Sequence, residues 1–475
     1  MKIFYYFAMI LSIAISVVSF FAFGDLGYDI LRLKINFGHF EDTSIHEIFR
    51  IIEGKKLFTS ATVEYAPLLY GPVYFYVATP FALIFGKSFL AGRIVSCLST
   101  ALVCVFAYLL IKKFTRLSVR KNIYLAFVSL GLFFSANEIF DFWLYTAKVD
   151  ALFLLFLVAT FYFLLQSEIK YYCIFISAFF ASLLFFTKQN GLILPLSIPL
   201  FLILLKQKKK ALTFSAVFAS FSIIFFLFFY FHSGDKFFTF FIGIPKSHPW
   251  LWKTYAPELA KFFLPTFGMF MLFLFTIFGT KIRNKRFRGL GLLVYQKLVK
   301  TKKNAHLVFF VFSFFLISFT GRMKAGAVGN SWIFFVYALS VFIMVLIGRY
   351  SEIYLRKEKN KWYFAHISAF YLLLFFQFYI FAYDYSIQKK HIAHLKGNEE
   401  NSISLLCGFK SPMLFPFAGY LPEMLCGNRD VGFQQQSVLD LIRDKNEFNR
   451  FVTFYKSAIE SGYYKTLIIT TELPM

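Results

Sequence analysis

Acidic side chains, cysteine and internal repeats are all scarce in this sequence. Its 475 residues include 25 Asp and Glu against 50 Lys and Arg, and charged residues make up only 16% of the chain. Soluble globular proteins carry roughly a quarter charged residues, so that class is excluded. The five cysteines have no spacing typical of a zinc site. Without similar halves, the chain also lacks the repeated design of many secondary transporters.

Apolar residues dominate instead. Hydrophobic side chains make up 59% and aromatic side chains 22% of the chain, and the mean hydropathy is +0.64. Apolar runs of about 17–25 residues, long enough to cross a bilayer, recur along the sequence. This pattern predicts an all-α polytopic membrane protein. The formal net charge is +25, but no nucleic-acid-binding motif accompanies it, so we expect the bases to face the cytoplasm and anionic lipid headgroups.

Four basic clusters, at 112–121, 206–210, 281–303 and 349–361, predict the orientation of the chain because cytoplasmic loops are rich in Lys and Arg. Eleven spans fit between them, with the N-terminus inside and the C-terminus outside. These spans lie near residues 3–23, 92–111, 123–136, 149–166, 171–187, 191–205, 211–231, 262–280, 306–320, 331–348 and 363–383.

A further apolar stretch, 68–86, also has the length of a span. Gly71, Pro72 and Pro80 interrupt it, and counting it as a span would turn every later basic cluster outward. We therefore predict a juxtamembrane or re-entrant segment within a large first external loop, residues 24–91.

The chain divides into two predicted domains, a transmembrane domain at 1–385 and a small extracytoplasmic α/β domain at 386–475. The second should contain an amphipathic helix around 437–459 and a β-like run at 466–470. Cys407 and Cys426 also lie there, and could form one disulfide if this region is outside the cytoplasm.

The first external loop holds seven of the 25 acids in the chain: Asp25, Asp29, Glu41, Asp42, Glu47, Glu53 and Glu64. Glu41 and Asp42 are adjacent and precede a helix predicted from Thr43 to Glu53. Paired carboxylates beside a bilayer can bind a cation or accept a proton. They can equally cap a helix N-terminus, and the sequence leaves both readings open.

Other charged candidates lie at the outer ends of later spans. Asp150 enters an apolar helix two residues after Lys148, and a carboxylate placed there usually has a partner, for which Lys148 or Arg93 is available. Arg93 could instead extend to the membrane interface.

Three bases, Lys188, Arg322 and Lys324, lie in external turns where the charge rule predicts few. Either they bind a phosphate or another anion at that face, or their long side chains extend only to the polar interface of the membrane. The tyrosines of the first external loop, including Tyr70 and Tyr74, would form an interfacial aromatic belt or line a groove for a sugar or an isoprenoid chain.

The order of these features resembles that of the GT-C-fold glycosyltransferases, which use polyprenyl-phosphate sugars. The similarity is greatest to the RgtA/B/C/D-like proteins, and the lipid A aminoarabinose transferase and the protein O-mannosyltransferases share the architecture. It covers roughly residues 1–385. The matching motifs are Glu41-Asp42 (reversed from the usual Asp-Glu), Tyr70-Gly71-Pro72-Val73-Tyr74, Phe85-Gly86-Lys87-Ser88 with Arg93, Lys148-Val149-Asp150, Lys188-Gln189, and Lys324-Ala325-Gly326 with Asn330.

The resemblance implies transfer of a sugar from a polyprenyl-phosphate donor to a glycan, lipid or protein hydroxyl, outside a bacterial plasma membrane. It implies that Glu41 or Asp42 is the general base, with Asp150 in the same catalytic pocket. Some relatives bind a divalent cation, so Mg²⁺ or Mn²⁺ is expected at Glu41 and Asp42. The implied substrate-binding residues are Arg93, Lys148, Lys188, Arg322, Lys324, Tyr70 and Tyr74.

Two other functions remain open, a flippase or transporter of lipid-linked glycans and a glycan polymerase or ligase. Transporters usually place charges in the middle of their spans, whereas the charges of this chain lie at span ends. This placement favours the enzyme.

Overall fold

The computed structural model describes residues 2–37, 41–115, 117–137, 142–251, 301–324, 329–355, 361–410, 412–415, 418–427 and 441–468. The helices in these ranges are α1 (Lys2–Arg32), α2 (Glu41–Ile52), α3 (Val73–Phe85), α4 (Phe89–Thr115), α5 (Val119–Phe134), α6 (Asp150–Gln166), α7 (Cys173–Thr187), α8 (Ile193–Leu204), α9 (Lys208–Ser233), α10 (Ile244–Ser247), α11 (Lys302–Arg322), α12 (Ile333–Leu355), α13 (Lys361–Gly408), α14 (Leu421–Cys426) and α15 (Lys445–Glu460). The two strands are β1 (Met413–Leu414) and β2 (Thr466–Leu467).

The predicted all-α membrane architecture is confirmed. Within the described ranges, five helical segments have the length and hydropathy of membrane spans: Met9–Arg32, Phe89–Thr115, Lys208–Ser233, Lys302–Arg322 and Gly329–Arg349. Shorter apolar helices, including α6, α7 and α8, pack among them. The predicted span at 262–280 lies outside the described residues, and each of the others coincides with a helix.

The interrupted stretch 68–86 contains α3, which begins directly after Pro72 and has 13 residues. At 1.5 Å per residue α3 is about 20 Å long, and like α6, α7 and α8 it belongs to the shorter apolar helices. It packs on α2, α4 and α7. That α3 is a juxtamembrane or re-entrant segment stays a prediction.

Polar contacts gather at two opposite ends of the helix bundle. At one end, Arg93 near the start of α4 contacts the end of α1, and Asp150 at the start of α6 pairs with Lys188 after α7. At the other end, Lys210 near the start of α9 pairs with Glu168 after α6 at 2.8 Å. Within the described residues, the predicted site residues thus lie at the opposite end from the basic cluster 206–210.

The last predicted span and the start of the C-terminal region form one helix, α13, which has 48 residues. The predicted boundary at 385 therefore falls inside this helix. α13 lies against α1, where Lys389 pairs with Asp29 at 2.5 Å and Lys396 also contacts Asp29.

Beyond α13, the C-terminal region combines two short strands with two helices. β1 and β2 pair in parallel, with Met413 opposite Thr466. α15 begins after Asp444, whose carboxylate accepts the backbone N–H groups of Asn446 and Glu447. This helix matches the amphipathic helix expected around 437–459, of which 437–440 lies outside the described residues. Cys407 and Cys426 form a disulfide, a pairing that the sequence left open.

Candidate active site

Arg93 and Glu41 form a buried ion pair that joins three helices. Arg93 donates from Nε to Glu41 Oε1 at 2.9 Å and from Nη2 to Oε2 at 2.7 Å, and neither side chain is exposed. The same guanidinium donates to the carbonyl oxygens of Ile30, Leu33 and Ile35, at the end of α1 and just after it. All five N–H groups of Arg93 are used, so α4 is tied to both α1 and α2.

Glu41 is saturated by these contacts. Oε1 also accepts the backbone N–H of Ala147 at 2.7 Å, and Oε2 accepts that of Phe37 at 2.8 Å. Burial raises the pKa of Glu41, but Arg93 and the two N–H groups outweigh burial and hold it below its usual value.

A cation at the Glu41–Asp42 pair does not fit this arrangement. A carboxylate offers about four acceptor positions, and four donors already occupy those of Glu41. Across the described part of the chain, no three His, Cys, Asp or Glu side chains are grouped as metal ligands would be.

Asp42 has different partners. Its Oδ1 accepts the side-chain amide of Asn36 at 3.1 Å, and its Oδ2 accepts the backbone N–H of Tyr420 at 3.3 Å. Among the described residues it has no ion-pair partner, and burial raises its pKa to about 6. The backbone N–H groups of Thr43 and of Asp42 itself also stabilise this carboxylate. A buried carboxylate held by neutral donors can accept a proton at neutral pH.

Asp150, Lys188 and Asn330 form a second polar cluster at the same end of the bundle. Asp150 Oδ1 accepts from Lys188 Nζ at 2.9 Å and from the side-chain amide of Asn330 at 3.0 Å. The expectation that Arg93 could pair with Asp150 is wrong, because Arg93 is fully engaged by Glu41 and α1. Lys148 places its ammonium 3.6 Å from the centre of the Trp143 ring.

The turn at Gly71 positions Tyr70 beside this cluster. Gly71 donates its N–H to Thr187 O at 3.1 Å, and a Cβ on Gly71 would lie only 1.9 Å from the carbonyl oxygen of Phe186. Only glycine allows this approach of two backbones. As a result, Lys188 Nζ lies 5.6 Å from the centre of the Tyr70 ring.

Tyr74 takes part in packing between α3 and α4. It is fully buried, and its hydroxyl donates to Gly92 O at 3.1 Å. The structure thus separates the two tyrosines named from the sequence, with Tyr70 beside the lysine and Tyr74 in the core.

Arg322 is the last residue of α11, and Lys324 follows it. Lys324 donates from Nζ to Pro245 O at 2.9 Å, and its backbone bridges to Trp250. Burial lowers the pKa of Lys324. The rest of its predicted motif, up to 328, lies outside the described residues.

Three residues near Asp42 were not identified as site residues from the sequence. Asn36 and Tyr420 have no local signal, since nothing in their neighbourhood predicts contact with Asp42. Glu47 was counted among the first-loop acids, yet its burial depends on the fold: it accepts the Tyr65 hydroxyl at 2.7 Å and the Leu68 N–H at 3.0 Å. Burial raises the pKa of Glu47 to about 7.

Comparison with known proteins places this arrangement in a known fold. A family model described as dolichyl-phosphate-mannose-protein mannosyltransferase matches residues 67–232, about a third of the chain. The structure of ArnT from Cupriavidus metallidurans bound to undecaprenyl phosphate matches with a TM-score of 0.57 and 9% identity, over 92% of this chain and 88% of ArnT. The chain has the GT-C glycosyltransferase fold.

A second ArnT structure, in the apo state, matches this GT-C protein with a TM-score of 0.53 and 10% identity, over 88% of this chain and 84% of ArnT. An oligosaccharyltransferase from Archaeoglobus fulgidus, AglB, gives a TM-score of 0.49 and 13% identity, over 91% of this chain and 64% of AglB. A search of curated protein sequences finds no match.

Proposed function

We propose that this GT-C protein transfers a sugar from a polyprenyl-phosphate carrier to a hydroxyl group of a glycan, lipid or protein. One observation carries the proposal: the fold gathers a buried carboxylate held by neutral donors, Asp42, and a lysine paired with a carboxylate, Lys188, at the same end of the bundle. Sugar transfer from a lipid phosphate requires a proton acceptor for the acceptor hydroxyl and a cation for the phosphate.

Asp42 is the general base in this proposal. It removes the proton of the acceptor hydroxyl while that oxygen attacks the anomeric carbon of the sugar. The bond between the anomeric carbon and the phosphate oxygen breaks, and its electron pair leaves with the phosphate. With a pKa of about 6, Asp42 is mostly ionised at pH 7, as a base must be. Glu41 is less suited, because its ion pair with Arg93 holds its pKa below the usual value and makes it a weaker proton acceptor.

Lys188 binds the lipid phosphate in this proposal, and Asp150 and Asn330 position it. The Lys188 side chain is 15% exposed, whereas its partner Asp150 is fully buried. Its ammonium has three donors, so one can remain on Asp150 while others reach a phosphate oxygen. The binding of undecaprenyl phosphate by ArnT, which shares the fold, supports an anionic lipid as ligand.

Lys148, Arg322 and Lys324 are further proposed contacts to the phosphate or the sugar. Lys148 precedes Asp150 by two residues, Arg322 is the last residue of α11 and Lys324 lies two residues beyond it, so all three belong to the same end of the bundle as Lys188. Tyr70 lies beside Lys188, where its ring can pack against a sugar or an isoprenoid unit.

We propose that this end faces away from the cytoplasm, at a bacterial plasma membrane. The basic clusters lie toward the opposite end. The Cys407–Cys426 disulfide lies close to the site through Tyr420, and disulfides persist mainly in oxidising compartments.

The test uses purified protein in lipid vesicles with a radiolabelled undecaprenyl-phosphate sugar and a solubilised envelope fraction as the source of acceptors. The expected result is label on a new acceptor, with the Asp42→Asn variant as the inactive control. Movement of the donor across the vesicle membrane without transfer would overturn the proposal in favour of a flippase. Products with many added units would indicate a polymerase.

A further inference from the structure

We propose that the C-terminal region forms part of the active site, with Tyr420 as a positioning residue whose backbone N–H orients Asp42 and the Cys407–Cys426 disulfide holding Tyr420 there. The inference rests on the proposed function, because it takes Asp42 as the base. It goes further, because it makes transfer dependent on a disulfide and on a region outside the part matched by the family model.

Tyr420 contacts α2 in two ways. Its backbone N–H donates to Asp42 Oδ2 at 3.3 Å. Its ring is parallel to that of His46, one turn further along α2, with centres 4.4 Å apart and planes 5° apart. Only 2% of Tyr420 is exposed. Both the main chain and the side chain of Tyr420 are therefore packed on the helix that carries the base.

Two ties hold Tyr420 in this place. α14 begins at the next residue and ends at Cys426, which is bonded to Cys407 in the last turn of α13. Within α14, Glu423 pairs with Lys87 at 2.6 Å, and Lys87 lies just before α4. The short helix after Tyr420 is thus fixed to the long C-terminal helix at one point and to the membrane domain at another.

The disulfide is attached to a part of the chain that is itself anchored. α13 lies along α1, with Lys389 and Lys396 on Asp29. The backbone N–H of Lys34 donates to Glu399 further along α13. Opening the disulfide therefore leaves α13 in place and releases α14 from it, so the predicted effect falls on the segment that carries Tyr420.

Orientation is the function that this contact can serve. The Asn36 side chain donates to Oδ1 of Asp42 and the Tyr420 N–H donates to Oδ2, so both help to fix the plane of the carboxylate alongside the local N–H groups of α2. A general base must point its lone pair at the proton that it removes, and small misplacements slow proton transfer strongly. Binding of the lipid-linked sugar should not depend on Tyr420, because the proposed phosphate contact lies at Lys188.

The backbone N–H can be tested with two substitutions at one position. Tyr420→Ala removes the ring and keeps the N–H, whereas Tyr420→Pro removes both. Proline needs only a small backbone change there, because the φ of Tyr420, −91°, lies about 10° outside the range of proline and the preceding residue, Gly419, tolerates the restriction that proline imposes. We expect kcat of Tyr420→Pro to be about 10- to 100-fold below that of Tyr420→Ala, with the donor KM equal within about twofold. Equal kcat values, or a change confined to the donor KM, would overturn the proposal.

The disulfide can be tested with a reductant and with Cys407→Ser/Cys426→Ser. Hydrogen exchange of the peptide 418–427 should become faster in both cases, and kcat should fall in both. The double variant is also the control for other effects of the reductant. It keeps the free thiols Cys97, Cys104 and Cys173 but has no disulfide, so reductant should not lower its kcat further. If neither exchange nor kcat responds to reduction, the proposal is wrong.

The exchange measurement separates this proposal from the proposed function. If wild-type protein transfers no sugar at all, the proposed function fails, but hydrogen exchange still reports whether the disulfide holds Tyr420. If wild-type protein transfers sugar and reduction leaves Tyr420 protected, the proposed function stands and the positioning role of Tyr420 fails.

Discussion

Arg93 binds both carboxylate oxygens of Glu41, and the two residues are 52 positions apart in the chain. This pair is buried where α1, α2 and α4 meet, and it leaves neither side chain with unused hydrogen-bonding capacity. Glu41 and Asp42, which look equivalent in the sequence, therefore have different environments. One is committed to holding three helices together, and the other is left to neutral donors.

Removing Arg93 should destabilise the protein rather than merely slow transfer. Arg93→Ala leaves Glu41 buried without its cation and several carbonyl groups without donors, which should cost about 3–5 kcal/mol of unfolding free energy. Unfolding by SDS in mixed micelles measures this loss of unfolding free energy. Lys210→Ala is the control, because its pair with Glu168 is partly exposed and should contribute at most about 1 kcal/mol. Wild-type stability in Arg93→Ala would contradict this account of the pair.

Asp42→Asn should lower the transfer rate by about 10²–10⁴-fold with little loss of stability, because the amide keeps the size and removes the proton acceptor. Asn36 can turn its own amide to accept from the new donor, since its Oδ1 has no hydrogen-bond partner among the described residues. Initial transfer rates at saturating donor measure the effect. Glu47→Gln, a buried acid to amide change on the same helix, should transfer at near wild-type rates at pH 7. Similar losses in both variants would remove the special role of Asp42.

Glu47 should make the protein more stable in mild acid. Its pKa is raised by burial to about 7, from 4.5, so folding favours the protonated form. Its contribution is therefore fully present below about pH 4.5 and is lost as the pH rises through 7, by about 1.4 kcal/mol for each unit of pKa shift. The contacts of Tyr65 also favour a protonated Glu47. The Tyr65 hydroxyl has one proton but lies within hydrogen-bond distance of two acceptors, Glu47 and Leu57 O, and it can satisfy only one of them.

The measurement is the unfolding free energy of wild type and Glu47→Gln between pH 4.5 and 8. Other groups titrate equally in both proteins, so the difference between the two curves isolates Glu47. The difference should change steadily up to about pH 7 and then level off. Parallel curves would show that Glu47 has an ordinary pKa.

Lys188→Ala should raise the apparent donor KM by about 10- to 100-fold, since a charge-assisted contact contributes roughly 1.5–3 kcal/mol. Lys210→Ala is the matched control: its side chain is 16% exposed against 15% for Lys188, and each lysine pairs with a carboxylate, at opposite ends of the bundle. Steady-state kinetics with varied donor compare the two. The assignment fails if the donor KM rises equally in both variants, or in neither.

A chelator should leave the transfer rate unchanged. The oxygens of Glu41 are occupied by Arg93, Phe37 and Ala147, so the acidic pair cannot supply the ligands that Mg²⁺ or Mn²⁺ would need. The measurement is transfer by protein purified without added metal, with and without EDTA. Loss of activity with EDTA and its recovery with Mg²⁺ would show that the reaction uses a cation held in some other way.

The sequence by itself determined the membrane architecture. Apolar runs, basic clusters and interrupting prolines are local signals, and insertion into a bilayer responds to local hydropathy and charge. The same signals placed Asp42, Asp150, Lys188 and Lys324 at one end of the helices. They also marked 68–86 as an interrupted segment, and α3 begins there directly after Pro72.

Only the tertiary structure decided which of these residues are paired. The ion-pair partner of Glu41, Arg93, lies on another helix. The partners of Asp150 are Lys188 and Asn330, which lie 38 and 180 residues further along the chain. Asp42 is held by Tyr420, 378 residues away. A carboxylate has the same intrinsic chemistry wherever it occurs in a sequence. Its charge state and free lone pairs depend on burial and on donors that packing brings from distant parts of the chain.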